Sequence, residues 1–191
     1  AANEEKVFSS LGARREQVVT AQQVHGCEVA AITRRDAGRV LPGTDGLITA
    51  DPGLLLLLRF ADCVPVLFYA PDREAVGIAH AGWRGVLGGI AARTALLLHD
   101  TFGCDLASLR VGVGPSIGPC CYEVGTEVYQ PLEDRYGSNA GVVTRLRGPG
   151  KAMVNLWQAV ACQLAEVGVH QVEIAGLCTS CHRGMFFSHR A

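Results

Sequence analysis

Long apolar runs, aromatic residues and an excess of either charge are all scarce in this chain of 191 residues. Its densest apolar run, Leu54 to Leu58, falls far short of the roughly 20 residues that a membrane-spanning helix needs. That run is expected to form a buried strand, and no membrane partner is expected. Charged residues make up 18% of the chain, 17 basic against 18 acidic, for a formal net charge of -1. This balance argues against binding of a phosphate backbone, so no nucleic-acid partner is expected either. The hydrophobic share of 49% excludes a disordered chain. Aromatics contribute only 6%, while there are 23 glycines, a composition for tight turns and close backbone approaches. The opening residues Ala1 to Leu11 carry Glu4, Glu5 and Lys6 and develop no apolar h-region. The expectation is therefore a cytoplasmic protein whose eight cysteines are reduced thiols rather than a disulfide framework.

Eight Cys and six His are what the chain has in plenty. The length suits one domain, large enough to bury a core without a metal or disulfide staple. Residues 3–11 read as a short helix before Gly12, and Val18–Thr20 and Glu28–Thr33 as strands. A polar stretch, Arg34 to Gly46, reads as a loop. Strands are expected at Gly46–Ala50, Leu54–Phe60, Val64–Tyr69 and Glu74–His80. Helical spacing then runs from Trp83 to about His99. Leu109–Val113 and Gln171–Ala175 read as strands, Thr126–Tyr136 and Val154–Val167 as helices, and 137–151 as a loop. Strands and helices mix without strict alternation. The expected class is α+β, with mixed β-sheets packed together and flanking helices.

His25, Cys63 and His80 each fall at the end of an expected strand or in a turn beside one. Two imidazoles and one thiolate suit zinc, with a fourth position left for water or substrate. Such a site lowers the pKa of a bound water toward neutrality. The three lie 38 and 17 residues apart, so spacing alone supports them weakly. The same residues also allow Cys63 as nucleophile, His80 as base and His25 as orienter. A third reading makes Cys63 a buried small hydrophobe.

Cys178-Thr179-Ser180-Cys181-His182 has the form of a c-type haem attachment pattern. The absence of an export signal opposes it, and Met153 and Met185, the two methionines, offer no obvious axial ligand. As half of a zinc site it lacks a second Cys-x-x-Cys, and the vicinal Cys120 and Cys121 read as packing. Gly82-Trp83-Arg84-Gly85 opens an expected helix, so its N–H groups and Arg84 would attract an anion. Glycines easing helix packing explain it equally. Ser188-His189-Arg190 either adds polar groups to a site or forms a frayed tail.

Several longer words are recognisable in order: Gln-Val-His-Gly at 23–26, Thr-Asp-Gly at 44–46, Ala-Asp-Cys-Val-Pro-Val-Leu at 61–67 and Ala-His-Ala-Gly-Trp-Arg-Gly at 79–85. Gly-Pro-Ser-Ile-Gly-Pro-Cys-Cys-Tyr-Glu-Val-Gly at 114–125 and Phe-Phe-Ser-His-Arg at 186–190 complete them. From about Val18 onward the chain resembles the YfiH family, whose members are called laccase-domain or multicopper polyphenol oxidase proteins and, later, purine nucleoside phosphorylases. The resemblance implies zinc on His25, Cys63 and His80. It also implies phosphorolysis of adenosine, inosine, guanosine and S-methyl-5'-thioadenosine, with zinc-assisted adenosine deamination. Residues 1–191 are expected to form a single domain of this kind, lacking an upstream Thr-Arg-x-Gly-Gly segment that contributes to the family's substrate cleft.

Within that reading Asp62 is the expected proton shuttle. By position alone, Gln23 and Arg84 are the expected substrate contacts, and Arg84 or the helix terminus near Gly82 would neutralise phosphate. Purine nucleosides and phosphate are the expected partners. The alternatives are a Cys63/His80 amidohydrolase editing peptidoglycan precursors, a copper-dependent polyphenol oxidase, and a non-catalytic metal-binding protein. A multicopper centre needs roughly ten His and a Cys, largely in His-x-His pairs. Six His and no such pair cannot build one. Copper remains an adventitious occupant of the His/Cys site.

Overall fold

Alternation along the chain builds the central hairpin. In β6 (Val64–Ala70), Val64, Val66, Phe68 and Ala70 are buried while Leu67 and Tyr69 face solvent. β7 (Ala75–Ala81) returns antiparallel beside it, with Val64 opposite Ala81 and Ala70 opposite Ala75. The computed structural model describes residues 2–138, 140–145 and 150–190. Before the hairpin come α1 (Ala2–Ser10), β1 (Val18–Gln22), β2 (Val29–Ala31), β3 (Val40–Pro42), β4 (Gly46–Thr49) and β5 (Leu55–Leu57). After it follow α2 (Trp83–Leu87), α3 (Ile90–Phe102), β8 (Arg110–Val113), β9 (Glu123–Gly125), α4 (Thr126–Tyr136), β10 (Val143–Arg145), β11 (Lys151–Val154), α5 (Leu156–Glu166) and β12 (Gln171–Ile174).

Three sheets result. A mixed six-stranded sheet runs β12-β8-β6-β7-β4-β2, a parallel one β3-β1-β5, and an antiparallel one β10-β11-β9. The main core lies where α3, α4 and α5 meet the large and antiparallel sheets. α3 inserts Ile90, Ala91, Ala95 and Leu98 at helical spacing, and α5 inserts Leu156, Val160 and Leu164. Each fully buried Leu or Ile contributes about 1.5–3 kcal/mol. A smaller core of Val19, Ala21, Ile32, Leu47 and Leu58 joins the parallel sheet to β4. The α+β class with mixed sheets and flanking helices is the one expected. Among the described residues no helix is long and apolar enough to cross a membrane.

Four expectations need correction. The helix from Trp83 to about His99 is two helices, α2 and α3, broken at Gly88-Gly89, where Gly89 takes φ 81°, the left-handed region. The loop expected over 34–46 contains β3, which pairs in parallel with β1. The loop expected over 137–151 contains β10 and the start of β11, while residues 139 and 146–149 of it lie outside the described residues. Leu54–Phe60 shortens to β5, which is half-buried because it is an edge strand of a small sheet.

Candidate metal centre

Three strand ends of the large sheet converge on one point. Gly46 of β4 pairs with Ala79 of β7, so one step further Asp45 lies opposite His80. The His80 amide donates to the Asp45 carbonyl at 2.7 Å, extending the ladder. On the other side of β7, Val64 pairs with Ala81, which sets Cys63 at the mouth of β6 opposite Gly82. A rigid sheet thus holds a carboxylate, an imidazole and a thiol at one edge.

The completely buried Asp45 organises this edge. One carboxylate oxygen accepts from the amides of Val24 (3.1 Å) and Gly26 (2.8 Å), the other from the amide of His25 (3.0 Å) and from His80 Nδ1 (2.9 Å). Burial would raise its pKa, but the bond from His80 and the amides of Gly26 and Val24 outweigh this and hold it below the ordinary carboxylate value. Burial lowers the pKa of His80 against the opposing pull of Asp45, which favours the neutral ring. With Nδ1–H donated to Asp45, Nε2 is left as the ligating nitrogen, the arrangement by which carboxylates orient metal-binding histidines. The same carboxylate holds His25 at φ 60°, a left-handed conformation costing a non-glycine residue about 1–2 kcal/mol.

Ligand atoms of His25, Cys63 and His80 all lie within 4.8 Å of one another. The two rings meet edge to face with centroids 4.9 Å apart. Burial, then the Asp62 and Asp45 carboxylates, push the Cys63 thiol up to about 11. This is the reverse of what a free thiolate nucleophile requires. A cation among these groups would relieve it. Borderline-soft nitrogen and sulfur donors with a carboxylate behind one imidazole fit zinc.

Glycines let α2 close on the His25 loop. A Cβ on Gly82 would sit 3.1 Å from Cys63 Sγ and 3.3 Å from His25 Cδ2, and one on Gly85 only 2.6 Å from the Gly26 carbonyl. One on Gly88 would sit 2.9 Å from Cys27 Sγ. Close packing therefore accounts for the Gly82–Gly85 word. α2 has five residues, and no anion site is assigned to its end. Gly85→Ala is expected to force the loop off α2, lowering stability by about 1–3 kcal/mol and weakening metal retention. Thermal unfolding and metal content of the purified variant check this.

The other expected site residues divide. Arg84 is exposed, stacks over Trp83 at 4.3 Å, and lines a 60 Å³ pocket with His25, Cys63 and Tyr122. Gln23 spends both ends of its amide on the backbone of Arg59, accepting at 2.9 Å and donating at 2.9 Å. Asp62 also lines the pocket at φ 76°. Its carboxylate accepts from Thr179 Oγ1 (2.6 Å) and the amides of His189 (2.7 Å) and Arg190 (2.9 Å). Burial would raise its pKa, yet these bonds outweigh burial and keep it low. The 188–190 segment is therefore docked rather than frayed. His99 and His182 direct Nδ1 to the carbonyls of Cys104 and Cys178.

Residues 1–191 match the family described as multi-copper polyphenol oxidoreductase laccase. The chain belongs to this laccase-domain family. Among its relatives, the protein named purine nucleoside phosphorylase YlmD of Geobacillus stearothermophilus is 38% identical over 98% of this chain and 72% of its own length. A protein named adenosine deaminase RL5, from an unknown prokaryotic organism, is 31% identical over 94% of this chain and 72% of its own. The crystal structure of YfiH from Bacillus licheniformis superposes with a TM-score of 0.94 at 37% identity, covering 99% of this chain and 74% of that one. The laccase-domain chain shares fold and family with these proteins.

Sequence reasoning missed Asp45. Thr-Asp-Gly at 44–46 stands among the words that carry the family resemblance, but nothing in the sequence assigns its aspartate a role.

Proposed function

We propose that this laccase-domain chain is a zinc-dependent enzyme that splits purine nucleosides with phosphate and deaminates adenosine at the same centre. The observation that carries the reading is the buried Asp45–His80 pair, which reserves Nε2 for a metal beside Cys63 and His25. Relatives named purine nucleoside phosphorylase and adenosine deaminase support the chemistry. Zinc, when bound, supplies a Lewis acid there.

The chain's own residues do the rest. The exposed Arg84 guanidinium, steadied on Trp83, is taken as the phosphate partner in this reading. The 60 Å³ pocket holds reacting atoms rather than a whole nucleoside. Beside it a hollow of about 280 Å³, walled by Phe60, Pro115, Phe186 and Phe187, offers aromatic surface to a purine ring. In phosphorolysis a phosphate oxygen attacks ribose C1′, the C1′–N9 bond breaks, and the purine leaves to accept a proton. In deamination water adds at C6 of adenine and ammonia departs. Asp62, its carboxylate engaged by three donors, is read as a positioning residue that docks 188–190, and Gln23 as a clasp on the Arg59 loop. Copper is a possible substitute for zinc at this N/S site, but among the described residues only His25 and His80 bring imidazoles together.

The test is product analysis. Metal-replete protein incubated with adenosine or inosine should form ribose 1-phosphate and free purine only when phosphate is present. Adenosine alone should give inosine and ammonia. If neither nucleoside is consumed, the reading fails.

A further inference from the structure

Outside the His/Cys centre, the fold gathers a second group of metal-binding atoms. Cys120 and Cys121, read from the sequence as packing, meet the Cys178-Thr179-Ser180-Cys181 turn, read as half a site without a partner. Cys181 Sγ lies 3.6 Å from Cys120 Sγ and 3.5 Å from Cys121 Sγ, and all four sulfurs fall within 4.8 Å of one another. We propose that Cys120, Cys121, Cys178 and Cys181 form a tetrathiolate site for one zinc ion, separate from the His25/Cys63/His80 centre.

Geometry supports this. A tetrahedron with Zn–S bonds of about 2.3 Å has S···S edges of about 3.8 Å, close to the contacts here. A disulfide needs about 2.05 Å and would join only two of the four. The backbone is also prepared. Gly118 donates its amide to Cys178 Sγ at 3.2 Å. Four thiolates this close would repel one another unless a cation lay among them. Binding would displace the remaining thiol protons to solvent.

Such an ion would tie two separate turns together. One leads from Ile117 to Tyr122, both lining the catalytic pocket, and the other carries Thr179, which holds Asp62. The proposed role is structural: a clasp that sets the pocket wall.

The experiment is zinc analysis of freshly purified protein with zinc K-edge X-ray absorption. Wild type should carry about two zinc per chain, with about two to three sulfur neighbours per zinc on average. His80→Ala should keep about one zinc, now with about four sulfur neighbours. Cys120→Ser combined with Cys181→Ser should lose one zinc and unfold several degrees lower. If that double variant does not fold, the wild-type and His80→Ala spectra still decide. A His80→Ala protein without zinc, its four thiols freely alkylated, would overturn the proposal. So would a native mass showing these cysteines joined in disulfides.

Discussion

Replacing His80 with alanine is expected to empty the His25/Cys63 centre and to reduce nucleoside phosphorolysis on the order of a thousandfold. The reduction follows from losing the several kcal/mol of transition-state stabilisation that a Lewis acid supplies. The fold should survive. The Asp45 carboxylate left behind still accepts three backbone amides, so the local cost stays at about 1–3 kcal/mol. Zinc content, thermal unfolding and ribose 1-phosphate formation measured on one preparation separate site loss from misfolding. Cys63→Ser, which leaves the Asp45–His80 bond intact, should give the same loss of activity. Wild-type rates in both variants would remove these residues from the chemistry.

Asp45→Asn is expected to weaken zinc binding about 10–100-fold without removing a single ligand. The reason is donor counting. Each carboxylate oxygen accepts from two donors: Val24 and Gly26 on one side, His25 and His80 on the other. An asparagine turned one way sets its NH2 against the Val24 and Gly26 amides. Turned the other way it faces His80 Nδ1 and favours the tautomer protonated at Nε2, which removes the lone pair a metal needs. Competition of the variant with a zinc chelator reads the affinity directly. Activity restored at higher free zinc would distinguish this positioning role from a general structural one. Unchanged affinity would show that the imidazole needs no carboxylate behind it.

Much of the fold was legible because its signals are local. The β6–β7 hairpin shows itself in alternation, and α4 has the bounds its spacing suggested. Val86, Ile90 and Ala91 keep helical spacing across the break, so periodicity alone predicts a single helix after Trp83. Gly88 and Gly89 were a visible warning. β3 and β9 are three-residue strands whose partners β1 and β11 are distant in sequence, and β10, which pairs with its neighbour β11, is too short to show alternation.

The candidate site divides in the same way. His25, Cys63 and His80 could be listed from residue type, but it takes the register of β4, β6 and β7, with Asp45 holding the His25 loop, to bring them together. Asp45 stayed hidden because an acidic residue in a turn ordinarily faces water. Asp62 adjoins Cys63 in sequence, while its donors come from Thr179, His189 and Arg190, more than a hundred residues away. The pairing of Cys120-Cys121 with Cys178 and Cys181 is likewise a product of topology: Ser116 bridges Cys178 across the chain.

One measurement bears most directly on the centre. Diffraction data from crystals of zinc-replete protein, collected on both sides of the zinc absorption edge, locate the metal without reference to activity. The expected result is an anomalous peak about 2.0–2.3 Å from His80 Nε2, a His25 ring nitrogen and Cys63 Sγ. Fully zinc-loaded crystals with no peak among these three residues would contradict it.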